Sequence, residues 1–269
     1  FSHVNLTHRN WTSVGHPDLA VYPIIDPRGL VTPIQDGWSL DFWIINPEGE
    51  SLFPSKTDHT EQQLEMDADL TVTTTCGLSG SKIISRARLL TAPSRPVLEI
   101  LLDGETDPGG WLVVALRPYN PEGIQFIENV DYVHDISAWR VNRKTPVLFS
   151  KTPDNAVFSN YQNGDVVHHL KHSGEQTRIQ CGVGMATAAA LFPVSAQGGQ
   201  SLAIHVPLQA EETRARYSSI IQSGRNWENV TGGTAELSLP DQQIQFLYQA
   251  AMRTLLLLSS AEVVPGPYT

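Results

Sequence analysis

Residues 70–90 read LTVTTTCGLSGSKIISRARLL. Leu70 to Cys76 and Lys82 to Leu90 are rich in threonine and branched apolar residues, which favour strands, and the two glycines between them suit a turn. Similar short runs, separated by Gly and Pro, continue from Leu19 to about Pro207. The clearest other predicted strands are Trp38 to Ile45, Val97 to Leu102 and Trp111 to Leu116. So many strands at short spacing predict a mainly β chain, with two stacked antiparallel sheets.

One predicted strand carries a carboxylate on its apolar face. Its alternating positions are Ile124, Phe126, Glu128, Val130 and Tyr132. Because alternate residues of a strand share one face, Glu128 is expected to point inward with the others. A buried carboxylate needs a partner. We therefore expect an ion pair between Glu128 and either Arg86 or Arg88.

A second alternating stretch predicts a β-hairpin near the end of the β region. Ala186 to Val194 leads into the turn residues Gln197-Gly198-Gly199. The apolar positions that follow are Leu202, Ile204 and Val206. Two such runs joined by a short glycine-containing turn are typical of paired neighbouring strands.

After Pro207 the apolar spacing changes from strand-like to helical, so we divide the chain into a β-domain, residues 1–207, and a helical connector, residues 208–269. Helices are predicted from Glu211 to Gln222 and from Pro240 to about Ala261, with Ser238 capping the second. The apolar stripe of the second helix comprises Ile244, Leu247, Ala251, Leu255 and Leu258. Such a stripe is expected to pack on the β-domain or on a second copy of the chain.

The composition excludes several classes of partner. With 18 Lys and Arg against 28 Asp and Glu, the formal net charge is -10, which disfavours nucleic acid and anionic membranes. No apolar run reaches the roughly 20 residues of a membrane helix, and we expect a soluble, cytoplasmic protein. Cys76 and Cys181 are far apart in sequence and are expected to be free, buried thiols. The chain begins with Phe1 and ends at Thr269, and we expect it to continue at both ends in a longer protein.

No sequence motif in this chain predicts a cofactor, a metal site or a catalytic centre. His168, His169 and His172 have ligand-like spacing, but the flanking turns favour a short strand and loop in which His168 and His169 point to opposite sides. Glycoside cleavage needs two placed carboxylates. No spacing selects a pair among the conceivable acids, which are Asp36, Asp41, Glu48, Glu99, Glu128 and Asp131. We therefore assign no catalytic residue and no cofactor.

Several segments resemble glucoamylase-type, six-hairpin glycosidases. The sharpest are Ser238-Leu239-Pro240-Asp241, Arg253 to Leu258, and Pro265-Gly266-Pro267-Tyr268-Thr269, which look like the junction with the catalytic domain in that group. Residues 26–30, 36–41 and 117–123 are also similar to segments of related proteins. The resemblance implies a large antiparallel β-supersandwich, like that of galactose mutarotases, followed by connector helices. In that group the helices lead to a helical toroid.

The same resemblance implies a function. The chain is expected to be the non-catalytic N-terminal domain of a glycoside hydrolase acting on glucose-containing saccharides, with its own C-terminal catalytic domain and carbohydrate as partners. The family's general acid and base lie in the toroid, so no catalytic residue is transferred to this chain. Two alternatives stay open: a stand-alone carbohydrate-binding protein, and a mutarotase-like sugar epimerase. The only candidate residues for the epimerase are Glu128, His134 and His205.

Overall fold

The chain folds into two antiparallel sheets that pack face to face. The computed structural model describes residues 10–258, except 17–18, 20, 48–50, 67–69, 91–95, 108, 172–175, 197 and 209–226. Its strands are β1 Thr12–Ser13, β2 Ile24–Ile25, β3 Val31–Thr32, β4 Ser39–Ile45, β5 Ser51–Leu52, β6 Thr60–Met66, β7 Leu70–Leu78, β8 Ser81–Leu90, β9 Val97–Thr106, β10 Gly110–Arg117, β11 Tyr119–Asn120, β12 Gly123–Ile124, β13 Asn129–Val133, β14 Ala138–Val141, β15 Thr145–Phe149, β16 Asn155–Ser159, β17 Arg178–Gln180, β18 Thr187–Val194 and β19 Gln200–Pro207. Short 3₁₀ helices span Pro54–Lys56, His134–Ile136 and Val166–His169, and the α-helices are α1 Trp227–Thr231 and α2 Gln242–Leu258.

The predicted antiparallel β-sandwich is confirmed. One sheet has eight strands in the order β1-β2-β3-β4-β10-β18-β16, with β5 added beside β4. The other has nine strands in the order β17-β13-β14-β15-β19-β9-β8-β7-β6. All pairings between the named strands of the described residues are antiparallel, and β7 and β8 pair across the turn that was predicted between them. A small two-stranded ribbon, β11-β12, lies apart from both sheets.

The main core lies between the two sheets. Alternate residues of β7 and β8 point into it, which explains their regular buried and half-buried pattern. Phe149 on β15 bridges the layers, because its ring lies 5.0 Å from Trp139 in the same sheet and 5.5 Å from Phe192 in the other. Gly104 marks a close approach of the sheets, since a Cβ there would come within 2.9 Å of Ile44. Cys76 and Cys181 are free and buried, as predicted.

The predicted hairpin between β18 and β19 is wrong. β18 pairs with β10 and β16 in the eight-stranded sheet, whereas β19 pairs with β9 and β15 in the nine-stranded sheet. The turn between them therefore crosses from one layer to the other. The reason is visible in β18, whose residues Thr187 to Phe192 are all buried. A strand with neighbours on both sides and both faces covered has no free edge to offer the next strand.

The predicted inward position of Glu128 is also wrong. Residues 123–133 form two strands with an irregular segment between them, and Ile127 in that segment is fully buried. Val130 and Tyr132 are buried as expected, but Ile124, Phe126 and Glu128 are exposed. The irregular segment shifts the alternation by one residue, and such a shift moves every earlier side chain to the opposite face.

The C-terminal helix is confirmed, but its cap and its orientation differ from the prediction. Asp241, not Ser238, caps it: the Asp241 carboxylate accepts hydrogen bonds from the backbone N–H groups of Gln243 and Ile244 at 2.9 and 3.1 Å. The helix rests on the β-domain through Leu257, which is 1% exposed and touches Gly15. The other predicted helix, Glu211 to Gln222, lies outside the described residues.

The predicted apolar stripe does not face the domain. Ile244, Leu247 and Leu255 are each more than half exposed. Arg253, which is not part of the stripe, lies on the domain side. Its Nη2 donates to the Met66 carbonyl at 3.3 Å, and its guanidinium lies 5.4 Å from the Trp227 ring. The helix therefore meets its own domain with part of its polar side. None of the helices in the described residues has the length and apolar character needed to span a membrane.

Candidate functional site

A second, smaller hydrophobic core lies on the outer face of the eight-stranded sheet. Odd-numbered residues of β4, β10 and β18 point outward, and the register places Trp43, Val113, Leu191 and Asn155 in one row across four adjacent strands. Val166 and Leu170 cover part of this face and are buried against it. Polar residues occupy one side of the second core, and an open cleft occupies the other.

A buried ion pair holds the polar side together. Arg117 on β10 is fully buried, and Nη1 donates to Asp165 Oδ1 at 2.8 Å while Nη2 donates to Oδ2. Nε of Arg117 donates to the Tyr119 hydroxyl at 3.1 Å. The guanidinium also lies 5.4 Å from the Trp43 ring and 5.3 Å from the Tyr119 ring. Such a planar, two-bonded geometry suits arginine and not lysine.

Asp165 also fixes the 3₁₀ helix that covers this face. Its Oδ1 accepts a hydrogen bond from the backbone N–H of Val167 at 3.1 Å, which caps the helix Val166–His169. The backbone N–H of Val166 donates to Thr187 Oγ1 on β18 at 3.2 Å. One carboxylate thus connects the sheet to the cover, and the position of the residues that follow, Leu170 and Lys171, depends on it.

Two further carboxyl groups lie near this cluster, of which Asp41 is buried and Asp26 is partly buried. Burial raises the pKa of Asp41, while the nearby Arg117 guanidinium acts in the opposite direction. Burial also raises the pKa of Asp26 to about 6, although its carboxylate accepts backbone hydrogen bonds from Leu30 and Arg28 at 2.8 and 2.9 Å. The pKa of the Tyr119 phenol is raised to about 12, again by burial. Since Asp41 and Asp165 are almost fully buried, a substrate cannot reach either of them.

The cleft opens where the 3₁₀ helix ends. It has a volume of about 340 Å³, and its walls include Trp111, Leu191, Leu170, Asp154, Asn155 and Lys171. Trp111 is partly exposed, Leu170 and Leu191 are buried, and Asp154 and Lys171 lie at the exposed edge. A mostly apolar floor with a few polar groups at the edge is the usual character of a small-ligand site.

The outer face of the nine-stranded sheet carries a different charged cluster. Glu99 on β9 pairs with Arg88 at 2.7 Å and lies 3.2 Å from His205 Nε2. Beside it, Arg86 pairs with Asp103 at 2.7 Å. The pKa of Asp103 is lowered, first by the hydrogen bond from the Ser201 hydroxyl and then by Arg86. These residues occupy three neighbouring strands, so strand register brings them together.

The structure does not bring the three predicted site residues together. His205 lies beside Glu99, and Glu128 is an exposed residue before β13 whose backbone N–H donates to Asn142. His134 follows β13 and packs its ring edge on Tyr132 at 4.6 Å. Since β14 and β15 separate β13 from β19, His134 is roughly 14 Å from His205 at the usual strand spacing. The expected pairing of Glu128 with Arg86 or Arg88 is wrong, because both arginines pair across to β9.

The histidine cluster also differs from its prediction. The segment is a 3₁₀ helix, Val166–His169, and not a strand, and Nε2 of His169 lies 2.9 Å from the Asn163 carbonyl. His172 lies outside the described residues. Among the residues that the structure describes, no three His, Cys, Asp or Glu side chains are grouped as a metal site would require.

Sequence reasoning missed both charged clusters. Glu99 was one of several conceivable acids. The signal in the sequence was two arginines, Arg86 and Arg88, at alternate positions of one strand, with two acids on the next strand: Arg88 lies directly opposite Glu99, and Arg86 reaches Asp103 diagonally. The ion pair between Arg117 and Asp165 joins residues 48 apart in the chain, and no local pattern indicates it.

Comparison with solved structures shows which known folds this chain resembles. No known protein-family pattern and no curated protein sequence matches the chain. A bacterial glucoamylase complexed with acarbose superposes with a TM-score of 0.59 and 12% identity, covering 93% of this chain and 40% of that one. Two further structures superpose more loosely. A protein from the human microbiome assigned as a kojibiose phosphorylase has a TM-score of 0.35 and 9% identity, covering 94% of this chain and 35% of that one. A family GH92 α-mannosidase from Bacteroides thetaiotaomicron has a TM-score of 0.30 and 8% identity, covering 90% of this chain and 34% of that one. The chain therefore shares the fold of the matched part of the glucoamylase, and it spans about two fifths of that chain.

Proposed function

We propose that this chain is the non-catalytic β-domain of a glycoside hydrolase acting on glucose-containing saccharides, and that it braces a helical catalytic domain. The observation that supports this most is the likeness to the glucoamylase, which extends over 93% of this chain yet includes only 40% of the enzyme. The chemistry then belongs to the part of the enzyme that this chain does not match.

The placement of the described carboxylates supports a non-catalytic role. Glycosidases hold two carboxyl groups about 5 to 9.5 Å apart on either side of the scissile bond. Asp41 and Asp165 are buried beyond the reach of a sugar. Glu99 is almost fully buried, Asp103 is partly exposed, and each acid is held by its own arginine. Four residues on one strand also separate their Cα atoms by roughly 14 Å.

The exposed apolar face of α2 supports the bracing role. Ile244, Leu247 and Leu255 are each more than half exposed on a helix that is otherwise well anchored at Leu257. Burying one such side chain contributes about 1.5 to 3 kcal/mol. A partner domain that covers all three side chains would therefore form a stable contact with this face. In the proposed enzyme, this partner is the catalytic domain of the same chain.

The first experiment tests the chain alone. Purified protein is incubated with maltooligosaccharides and dextrins, and released reducing sugar is measured. We expect no turnover. Hydrolysis that disappears in Glu99→Gln or Asp103→Asn, while persisting in the exposed control Asp58→Asn, would contradict the proposal. The coding sequence after Thr269 provides an independent test, because a helical domain containing two acids in a cleft is expected there.

A second candidate function is favoured by the contact between His205 and Glu99. A mutarotase-like epimerase needs an acid and a base that exchange protons with the ring oxygen and the anomeric hydroxyl of a sugar, and this pair lies on the outer face of a broad sheet, 3.2 Å apart. Polarimetry of freshly dissolved α-D-glucose tests it. Acceleration by the protein that is lost in His205→Gln and kept in His134→Gln would establish this activity in place of the bracing role.

A further inference from the structure

We propose that the cleft beside Trp111 binds a short neutral saccharide, so that this domain carries a sugar-binding site of its own. The proposal goes beyond the bracing role, which needs no sugar contact in the β-domain. Three features of the cleft support it: a rigid floor, the polar groups at its edge, and a wall that is fixed by hydrogen bonds.

The floor of the cleft is set by strand register. Trp111 on β10 lies between Ile45 of β4 and Pro193 of β18, and Leu191 lies between Val113 and Asn155 one row further along. Because these neighbours come from four adjacent paired strands, the floor is rigid. The indole is partly exposed at the point where the covering 3₁₀ helix ends. It therefore offers an aromatic surface on which the apolar face of a sugar ring can lie.

The polar groups at the edge suit hydroxyls better than ions. Asp154 precedes β16 and Lys171 follows the 3₁₀ helix, so one negative and one positive side chain, both exposed, flank the cleft. Asn155 also lines the cleft and is partly exposed, whereas Asn46 is buried. Opposite charges at one edge cancel at a distance and give no net attraction for an anion or a cation. A ligand with neutral hydroxyl groups can form hydrogen bonds with both exposed side chains, Asp154 and Lys171.

One wall of the cleft is held in place before any ligand arrives. Leu170 and Lys171 follow directly after the 3₁₀ helix that Asp165 caps, and Asp165 is fixed to the sheet by Arg117. A site that is already ordered loses little entropy on binding. The volume of 340 Å³ lies at the lower end of the usual range for small-ligand sites, about 300 to 1,000 Å³. This size favours a short saccharide over a polymer strand.

The experiment is a titration of the chain with glucose, maltose and maltotriose, followed by the backbone amide and side-chain indole signals in ¹H–¹⁵N NMR spectra. We expect saturable shifts of the Trp111 indole. The affinity should fall by about tenfold or more in Trp111→Ala, as for an aromatic residue at the centre of a contact. Trp11→Ala is the matched control, since Trp11 is also a partly exposed tryptophan and bonds to Glu122 away from the cleft. Asp154→Ala changes only the exposed edge and should weaken binding without affecting folding.

The possible results separate this proposal from the bracing role. Absence of saturable shifts with all three sugars would overturn it, and so would an unchanged affinity in Trp111→Ala or an equal loss of affinity in Trp11→Ala. If Trp111→Ala changes the sedimentation of the chain and not its sugar affinity, the cleft is a contact between copies and the proposal is wrong. None of these results depends on catalysis. If the cleft binds no sugar, the bracing role is still tested separately by the hydrolysis experiment.

Discussion

Arg117 and Asp165, 48 residues apart in the chain, form a doubly hydrogen-bonded ion pair in which both side chains are almost fully buried. The pair connects a central strand of the eight-stranded sheet to the helix that covers its outer face. Removing either side chain leaves the other charge buried without its hydrogen-bonded partner, and that charge has no access to water that could compensate.

The first prediction follows from this contact. Asp165→Asn should lower the free energy of unfolding by about 3 to 5 kcal/mol, the usual result of breaking a buried ion pair from one side. The matched control is Asp58→Asn, because Asp58 pairs with Arg28 at 2.8 Å with its own side chain 95% exposed. An exposed pair contributes about 0 to 1 kcal/mol. Urea unfolding of both variants measures the difference, and equal losses would show that burial of the pair has no energetic consequence.

The second prediction concerns the two sides of α2. Leu257→Ala should cost about 2 to 5 kcal/mol, because Leu257 is 1% exposed and packed against Gly15. Leu247→Ala should cost less than about 0.5 kcal/mol, because Leu247 is 57% exposed. Denaturant unfolding of dilute protein gives both values. A large loss for Leu247→Ala that grows with protein concentration would show that two copies pair through this face.

The third prediction is a pH dependence that arises from Asp26. Its pKa in the folded protein, about 6, is above the ordinary value of 3.8. The folded state therefore binds a proton on the Asp26 carboxyl more tightly than the unfolded state does. The stability contributed by this proton is fully present below about pH 4 and is lost as the pH rises through 6. Relative to Asp26→Asn, which cannot ionise, the free energy of unfolding of the wild-type protein should fall by up to about 3 kcal/mol between pH 4 and pH 7. Chemical unfolding at several pH values tests this, and a constant difference between the two proteins would contradict it.

The fourth prediction compares two glycines with unusual backbone angles. Gly110 has a φ of 152°, and a Cβ there would lie 2.2 Å from the Ile45 carbonyl oxygen of the neighbouring strand. Gly123 has a similar φ of 145° but open space around it. Alanine is strained at both positions, so the difference between Gly110→Ala and Gly123→Ala isolates the steric clash. We expect Gly110→Ala to lower the melting temperature much further than Gly123→Ala. Similar changes in melting temperature would show that β4 and β10 can move apart at this end.

The sequence by itself determined the class of fold and many of its local features. Threonine-rich and branched runs form strands at the predicted places, the two thiols are free and buried, and the last helix is present at Gln242–Leu258. These features depend on side-chain periodicity and on the conformational preferences of neighbouring residues, which the linear sequence contains directly. They do not depend on which distant segment becomes a neighbour.

Only the tertiary structure decided how these elements are partnered. It separated β18 and β19 into different sheets, turned Glu128 outward, and oriented α2 with Leu257 and Arg253 toward the domain. It also paired Arg117 with Asp165 and placed His205 beside Glu99. The physical reason is that strand partners, ion pairs and the buried side of an amphipathic helix depend on contacts between residues tens of positions apart. Several pairings fit the local pattern equally well, and the one that forms is chosen by the packing of the whole sandwich.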